Sequence, residues 1–282
     1  MRPLPEFDFD EKYKCELNLR DYFGDHRKTL DVLLKKMDRE KNALMFRNQL
    51  FATLQLYYDG MLSNDTDEGS ICSQEEVLDQ LLLAGETFVD NFYRGEVIDF
   101  DEILDMIMPY ETEILKWGYK GSAKQRHLNG ELHILKLQSF GFNIPEIVDM
   151  VNPDTLVCIA SGGFEPAIIA KNITDNKTLA ILKYSRIYER NEEVRIPSET
   201  PNDCLHKKIE GKRVLVIDDL IVSGKTIYKV LNYLSEMEPE TLHATTSMFI
   251  PKRDTIFSII NPNPEFKVIK SYPFSFQYKK GA

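Results

Sequence analysis

The segment "KRVLVIDDLIVSGKTI", Lys212 to Ile227, holds the residues of this 282-residue chain best suited to chemistry. Val214 to Ile217 are apolar without a break, as in a strand buried on both faces. Two carboxylates follow at once, Asp218 and Asp219, and then a small-residue turn, Ser223-Gly224-Lys225-Thr226. Adjacent acids at a strand end accept hydrogen bonds from hydroxyl groups and favour positive charge that develops beside them. A glycine-containing turn that opens a helix offers backbone N–H groups and the positive helix end to a phosphate.

Three arrangements end in this way. A Walker A loop needs a glycine five residues before Gly224, where this chain has Asp219; a carboxylate there repels the phosphate the loop must cradle. A response-regulator receiver needs a phosphorylatable aspartate ending a later strand, and "TLHATTSMFIPKRD" supplies none in that place. The third arrangement fits at every position. Four apolar residues, two acids, a short spacer, then a small residue, Gly, Lys and Thr, flanked by a strand and a helix, resemble the signature of the type I phosphoribosyltransferases.

The resemblance implies a substrate, phosphoribosyl pyrophosphate, which carries a 5′-phosphate, two ribose hydroxyls and a magnesium-bound pyrophosphate. It assigns Asp218 and Asp219 to the ribose hydroxyls and, through substrate or water, to Mg2+. It assigns Val222, Ser223, Gly224, Lys225 and Thr226 to the 5′-phosphate. "SGG", Ser161-Gly162-Gly163, resembles the family's pyrophosphate loop, where glycines let backbone amides approach the leaving group. Lys183 and Arg186 are candidates for neutralising that group. The polar stretch Arg186–Gly211 is expected to be a lid, as long polar segments inside compact domains often are. Within it Tyr188, Arg190 and Arg195 are candidate substrate contacts, and His206 reads as an ordinary loop residue.

The acceptor site is less marked. Lys252 lies where 6-oxopurine transferases place a lysine on the purine oxygen, and Tyr272, Phe274 and Phe276 are placed to stack on a base or to fill the core. Hypoxanthine–guanine enzymes carry an aspartate at the position of Val222, and valine can neither transfer nor share a proton. The resemblance therefore implies transfer to a nitrogen acceptor, a nucleobase by preference, with hypoxanthine and guanine poor acceptors. It leaves open a non-catalytic regulator that senses phosphoribosyl pyrophosphate or a nucleotide.

Those loops need a sheet to hold them. "DTLVCIA", "TLAILKY", "KRVLVID" and "TLHATTSMFI" read as strands, with "EPAIIAKNI" and "GKTIYKVLNYLSEM" as helices between them. Alternating β and α with continuous apolar strands predicts an α/β fold, a parallel sheet with helices on both faces. Ligands of such sheets sit at the carboxyl ends of the strands, where "SGG" and "DD…SGKT" both fall.

The front of the chain has a different texture. Leu30, Leu33, Leu34, Met37, Leu44, Leu50, Leu54 and Tyr57 recur at helical spacing. Ser63–Glu76 reads as a loop, with Ser73 and Glu76 as a capping box for the next helix. A further helix is expected in "DFDEILDMIMPYETEILKWG", with Asp99 or Asp101 near its start. Polar Tyr119–Glu131 marks the boundary between an all-α region, 1–125, and a phosphoribosyltransferase-like domain, 126–282. The helical region matches no catalytic pattern and is a candidate lid, dimer surface or partner-binding module.

Composition sets the remaining bounds. Hydrophobic residues make up 43% and charged residues 28%, as in globular proteins, and no apolar run is long enough for a membrane span. Residues 1–140 hold 17 Lys and Arg against 27 Asp and Glu, which is the whole net charge of −10 and argues against nucleic-acid binding there. Cys15, Cys72, Cys158 and Cys204 lie far apart, which reads as reduced thiols in a cytoplasmic protein. The expected assembly is a homodimer.

Overall fold

Val214 to Ile217, apolar on both sides of the pleat, run through the middle of a six-stranded sheet in this computed structural model. The structure describes residues 30–39, 41–63, 68–118, 144–160, 162–174, 178–184, 194, 196, 201–221, 224–249, 266–271 and 274–278. They belong to two compact units, one of helices up to Gly118 and one containing the sheet.

In the helical unit, α1 (Leu30–Arg39) buries Leu30, Leu33, Leu34 and Met37, a stripe at i, i+3, i+4 and i+7. Asn42 ends the link to α2 (Ala43–Ser63), its Oδ1 accepting the N–H groups of Leu44 at 3.0 Å and Met45 at 3.2 Å. α2 is buried on nearly every side, with Phe46, Leu50, Leu54, Leu56 and Tyr57 all closed to solvent. Phe88 of α3 (Glu68–Arg94) stacks on Phe46 at 5.8 Å and on Phe92 at 5.2 Å.

α3 begins before the expected capping box, so Ser73 and Glu76 lie inside a helix rather than at its start. Residues 68–76 were expected in a loop; they extend α3 instead, because burial of Gln74, Val77, Leu78 and Leu81 rewards continuing the helix back through the polar turn. Asp99 caps α4 (Phe100–Ile107), accepting from Asp101 and Glu102 N–H groups at 3.1 and 3.0 Å. The single helix expected in this region divides at Pro109 into α4, a 3₁₀ turn and α5 (Glu111–Trp117). Proline lacks the N–H and crowds the preceding turn, so the break falls there.

In the second unit residues 144–151 are helical (α6), and then strands and helices alternate as expected. They are β1 (Thr155–Ile159), α7 (Phe164–Ile173), β2 (Thr178–Leu182), α8 (Pro201–Ile209), β3 (Arg213–Ile221), α9 (Lys225–Ser235) and β4 (Thr241–Phe249). These four strands are parallel. The chain then adds β5 (Phe266–Ser271) and β6 (Phe274–Tyr278), with β6 antiparallel to β4 and β5 outermost. The order is β2-β1-β3-β4-β6-β5.

One face of the sheet is covered by α8 and α9, whose Leu205, Ile209, Ile227, Val230, Leu231 and Leu234 pack on Val214, Val216, Leu242 and Ala244. Burying each such side chain contributes about 1.5–3 kcal/mol. α7 packs on β1 and β3, and its Ala167 and Ile168, with Leu156, Cys158, Leu215 and Ile217, are buried apart from that cluster. These residues alternate with Val157, Ile159, Val214 and Val216 along the strands, so they line the opposite face. At the far edge Arg213 joins β3 to the start of β1. Its Nε and Nη2 donate to Asp154 at 3.0 and 2.7 Å, and its backbone N–H donates to the same carboxylate at 3.0 Å.

The expected lid, Arg186–Gly211, is corrected in its second half. Pro201–Ile209 forms α8, with Leu205 and Ile209 in the core and Val194 and Ile196 packed against it. Thr155 ties this helix to the sheet, its Oγ1 donating to the Lys208 carbonyl at 2.6 Å. Proline in the first turn and two apolar residues four apart were the signal for it. Among the described residues no helix is long and apolar enough to cross a membrane, and Cys158 and Cys204 are free thiols.

Candidate active site at the ends of β1 and β3

The strand order places a reversal of winding between β1 and β3. From β1 the chain crosses to β2 on one side, and from β3 it crosses to β4 on the other. Loops that leave two neighbouring strands in opposite directions open a crevice at their carboxyl ends. The loop after β1 carries Gly162 and Gly163, and β3 carries Asp218 and Asp219 into the same region.

The glycines show how closely these segments meet. A Cβ on Gly162 would lie 2.0 Å from Asp219 Oδ1, 2.1 Å from its Cγ and 2.5 Å from its Oδ2. Only a residue without a side chain admits that carboxylate. A Cβ on Gly163 would meet the backbone carbonyls of Ile159 at 2.5 Å and Ile217 at 2.7 Å, so this glycine lets the loop turn directly over both strand ends. Gly163 N–H donates to the Ile159 carbonyl at 3.1 Å, and α7 starts there.

The two acids differ in surroundings. Asp218 is 8% exposed, and its Oδ1 accepts the Asp219 N–H at 2.9 Å. Thr246 of β4 pairs with it in register and is 1% exposed. Asp219 is only partly buried and meets the glycine loop. Both acids lie near Cys158 of β1, whose thiol is pushed well above its ordinary range by burial first and then by the charges of Asp218 and Asp219. Cys158 is therefore a neutral thiol, unsuited to act as a nucleophile.

On the other side of β3, Gly224 precedes α9 with φ 71°, a left-handed conformation that most residues adopt only at a cost of about 1–2 kcal/mol. Gly224, the residue at the cap position, has no side chain to cap the first N–H groups of α9. Lys225 is exposed and Thr226 half-buried in its first turn. Lys183 follows β2 directly and is 6% exposed. The adjoining bond from Ala160 N–H to the Leu182 carbonyl, 2.7 Å, ties the end of β2 to the start of the glycine loop.

Of the residues singled out in the sequence, the structure thus brings Gly162, Gly163, Asp218, Asp219, Gly224, Lys225, Thr226 and Lys183 to the carboxyl edge of the parallel sheet. Ser161, Arg186, Val222, Ser223, Lys252 and Tyr272 lie outside the described residues, as do Tyr188, Arg190 and Arg195. Phe274 and Phe276 are strand residues of β6. His206 belongs to α8 and sits 3.4 Å from Glu210. Sequence reasoning missed Thr246 and Glu165, both buried polar residues at this edge. The only signal for Thr246 was a polar residue in a strand otherwise suited to burial; Glu165, in the first turn of α7, carried none.

No curated protein sequence matches the chain. Among solved structures it is similar to a purine phosphoribosyltransferase from Pyrococcus horikoshii, at 21% identity and TM-score 0.33 over 40% of this chain and 71% of the other. It is also similar to a hypoxanthine-guanine phosphoribosyltransferase from Bacillus anthracis, at 18% identity and TM-score 0.31 over 42% and 68% of the two chains. A hypoxanthine phosphoribosyltransferase from Trypanosoma cruzi, in complex with the product IMP, has 16% identity and TM-score 0.33 over 41% and 77%. Residues 138–259 match the phosphoribosyl transferase domain family, which spans the glycine loop, both acids and the turn before α9. The chain thus carries a region that matches the phosphoribosyl transferase domain family, and its helical unit lies outside the matched residues.

Proposed function

We propose that this protein binds phosphoribosyl pyrophosphate across the ends of β1 and β3 and transfers its 5-phosphoribosyl group to a nitrogen acceptor. The observation that carries this reading is the contact of Gly162 with Asp219, which joins the candidate leaving-group loop to the candidate ribose site. In the reaction the C1′–O bond to pyrophosphate breaks and its electron pair leaves with the pyrophosphate. The acceptor nitrogen's lone pair forms the new C1′–N bond, and the nitrogen's proton passes to solvent or a base.

The paired acids favour the positive charge that grows on the ribose as pyrophosphate departs. Backbone N–H groups at the turn before α9 hold the 5′-phosphate, and Lys183 with the glycine loop receives the pyrophosphate. Among the described residues no group of three or more His, Cys, Asp and Glu side chains is placed to hold a metal. Asp218 and Asp219 would hold a magnesium ion indirectly, through substrate or water. When bound, magnesium neutralises charge on the leaving group.

The test is pyrophosphate release from magnesium phosphoribosyl pyrophosphate with a panel of nucleobases. Release with at least one base, and weak release with hypoxanthine and guanine, is the expected result. Binding of phosphoribosyl pyrophosphate with no release from any base would assign the domain to sensing; absence of binding would overturn the proposal.

A further inference from the structure

We infer that the outer face shared by α3, α4 and the 3₁₀ turn after α4 is a docking surface for a basic amphipathic helix of a partner protein. The face lies within the helical unit, so the inference stands apart from the proposed phosphoribosyl site. Its centre is Leu83, which is 44% exposed in the middle of α3 while Leu81, Ala84 and Phe88 beside it are buried. Two contacts locate it against the next elements. Thr87, one turn along α3, has its Oγ1 4.0 Å from Met106 Sδ of α4. Glu76, two turns back, accepts the Tyr110 hydroxyl at 3.2 Å from the 3₁₀ turn Met108–Tyr110. Leu83 lies between these contacts along α3, on the flank where half-buried Met106 and Met108 and exposed Pro109 reach the surface. An apolar patch inside a polar rim marks a contact site, and methionine adapts its shape to whatever apolar surface meets it.

The rim has one sign. Glu76, Asp79, Leu83, Glu86 and Asp90 follow at alternate steps of three and four, which is one stripe of α3 with the leucine at its centre. Residues 48–115 contain sixteen Asp and Glu, a single Arg, and no Lys or His. That arginine, Arg94, pairs with Asp90 at the end of the stripe, at 2.7 Å.

This charge selects the occupant. A nucleic acid or an anionic membrane surface is repelled. A second copy docked through the same face about a two-fold axis would set acidic rim against acidic rim. A helix with an apolar stripe flanked by Lys and Arg satisfies both features, its stripe covering Leu83 and the methionines and its cations meeting the rim.

The probe is a fluorescent peptide of leucine and lysine patterned as an amphipathic helix, titrated with the full chain and read by anisotropy. A scrambled peptide of the same composition and a leucine–glutamate peptide of the same pattern serve as controls. The patterned lysine peptide should bind about tenfold tighter than the scrambled one, and more weakly as salt is raised. Leu83→Ser should weaken it by about tenfold, as for a central apolar contact. Asp79→Lys with Glu86→Lys, one turn to either side of Leu83, should abolish it and admit the glutamate peptide. Equal binding of patterned and scrambled peptides, or native affinity in Leu83→Ser, would overturn the inference, as would absence of binding. Self-association of the native chain that Leu83→Ser removes in sedimentation would also overturn it, and would give the face to a second copy.

Discussion

Substituting Gly162 by alanine tests whether the glycine loop and Asp219 form one site. The added methyl carbon would lie 2.0 Å from Asp219 Oδ1, and ordinary contact begins at 3.4 Å, so the carboxylate must retreat by about 1.4 Å. The clash is with the end of a side chain that is part-exposed, so it is relieved by rotation of Asp219 rather than by moving the sheet. Stability should therefore change little. Function should not survive so easily, because a carboxylate moved that far loses its hydrogen bonds to the ligand, about 1.5–3 kcal/mol for a charged group or up to roughly 10²-fold. The loss is one of affinity for magnesium phosphoribosyl pyrophosphate. Calorimetry measures it, and a cycle with Asp219→Gly isolates the cause: once the carboxylate is gone, alanine at 162 has nothing to strike and should add little further loss. Native affinity in Gly162→Ala, or full additivity in the double variant, would refute the argument.

Gly163→Ala should fail differently. Its methyl would press on backbone carbonyls at 2.5 and 2.7 Å, which cannot rotate away, so the protein should lose about 1–3 kcal/mol or more of stability, visible as a lowered denaturation midpoint. His243 of β4 gives a pH dependence. Burial lowers its pKa from the ordinary 6.5, so the unfolded chain takes up the proton more readily. Its contribution to stability is complete above pH 6.5 and declines as the pH falls through the lowered folded value. His243→Gln should therefore flatten the acid side of a midpoint-against-pH curve and leave the midpoint at pH 8 nearly unchanged; an unaltered acid slope would count against it.

What could be read from the sequence followed from side-chain patterns with a single physical meaning. Unbroken apolar runs specify strands covered on both faces, and two acids beside a glycine turn specify a polar edge where those strands end. Strand order has no such local signature. Nothing in Val157 or Val216 announces that β1 lies between β2 and β3, yet that order is what brings Gly162 to Asp219. In α8 a high proportion of charged residues concealed two buried apolar positions. At Ser73 a good capping sequence was overruled by packing, because continuing α3 costs less than ending it against a core that holds Val77 and Leu81.

The reversal of winding between β1 and β3 has a mechanical consequence. Gly162 and Asp219 are 57 positions apart in the chain and belong to successive βαβ units that wind away from each other. Along that seam no short connection reinforces the backbone bonds of β1 to β3, which α7 and the Arg213–Asp154 pair support from one face and one end. A small molecule seated on both loops acts as a brace across the seam, and its binding energy becomes cohesion between the two wings of the sheet. At a ligand concentration of about 100 times the dissociation constant the brace is worth about 2.7 kcal/mol. Filling the site should thus quiet the breathing of strands whose side chains never touch the ligand, and the protein will be most open to local unfolding when its site is empty.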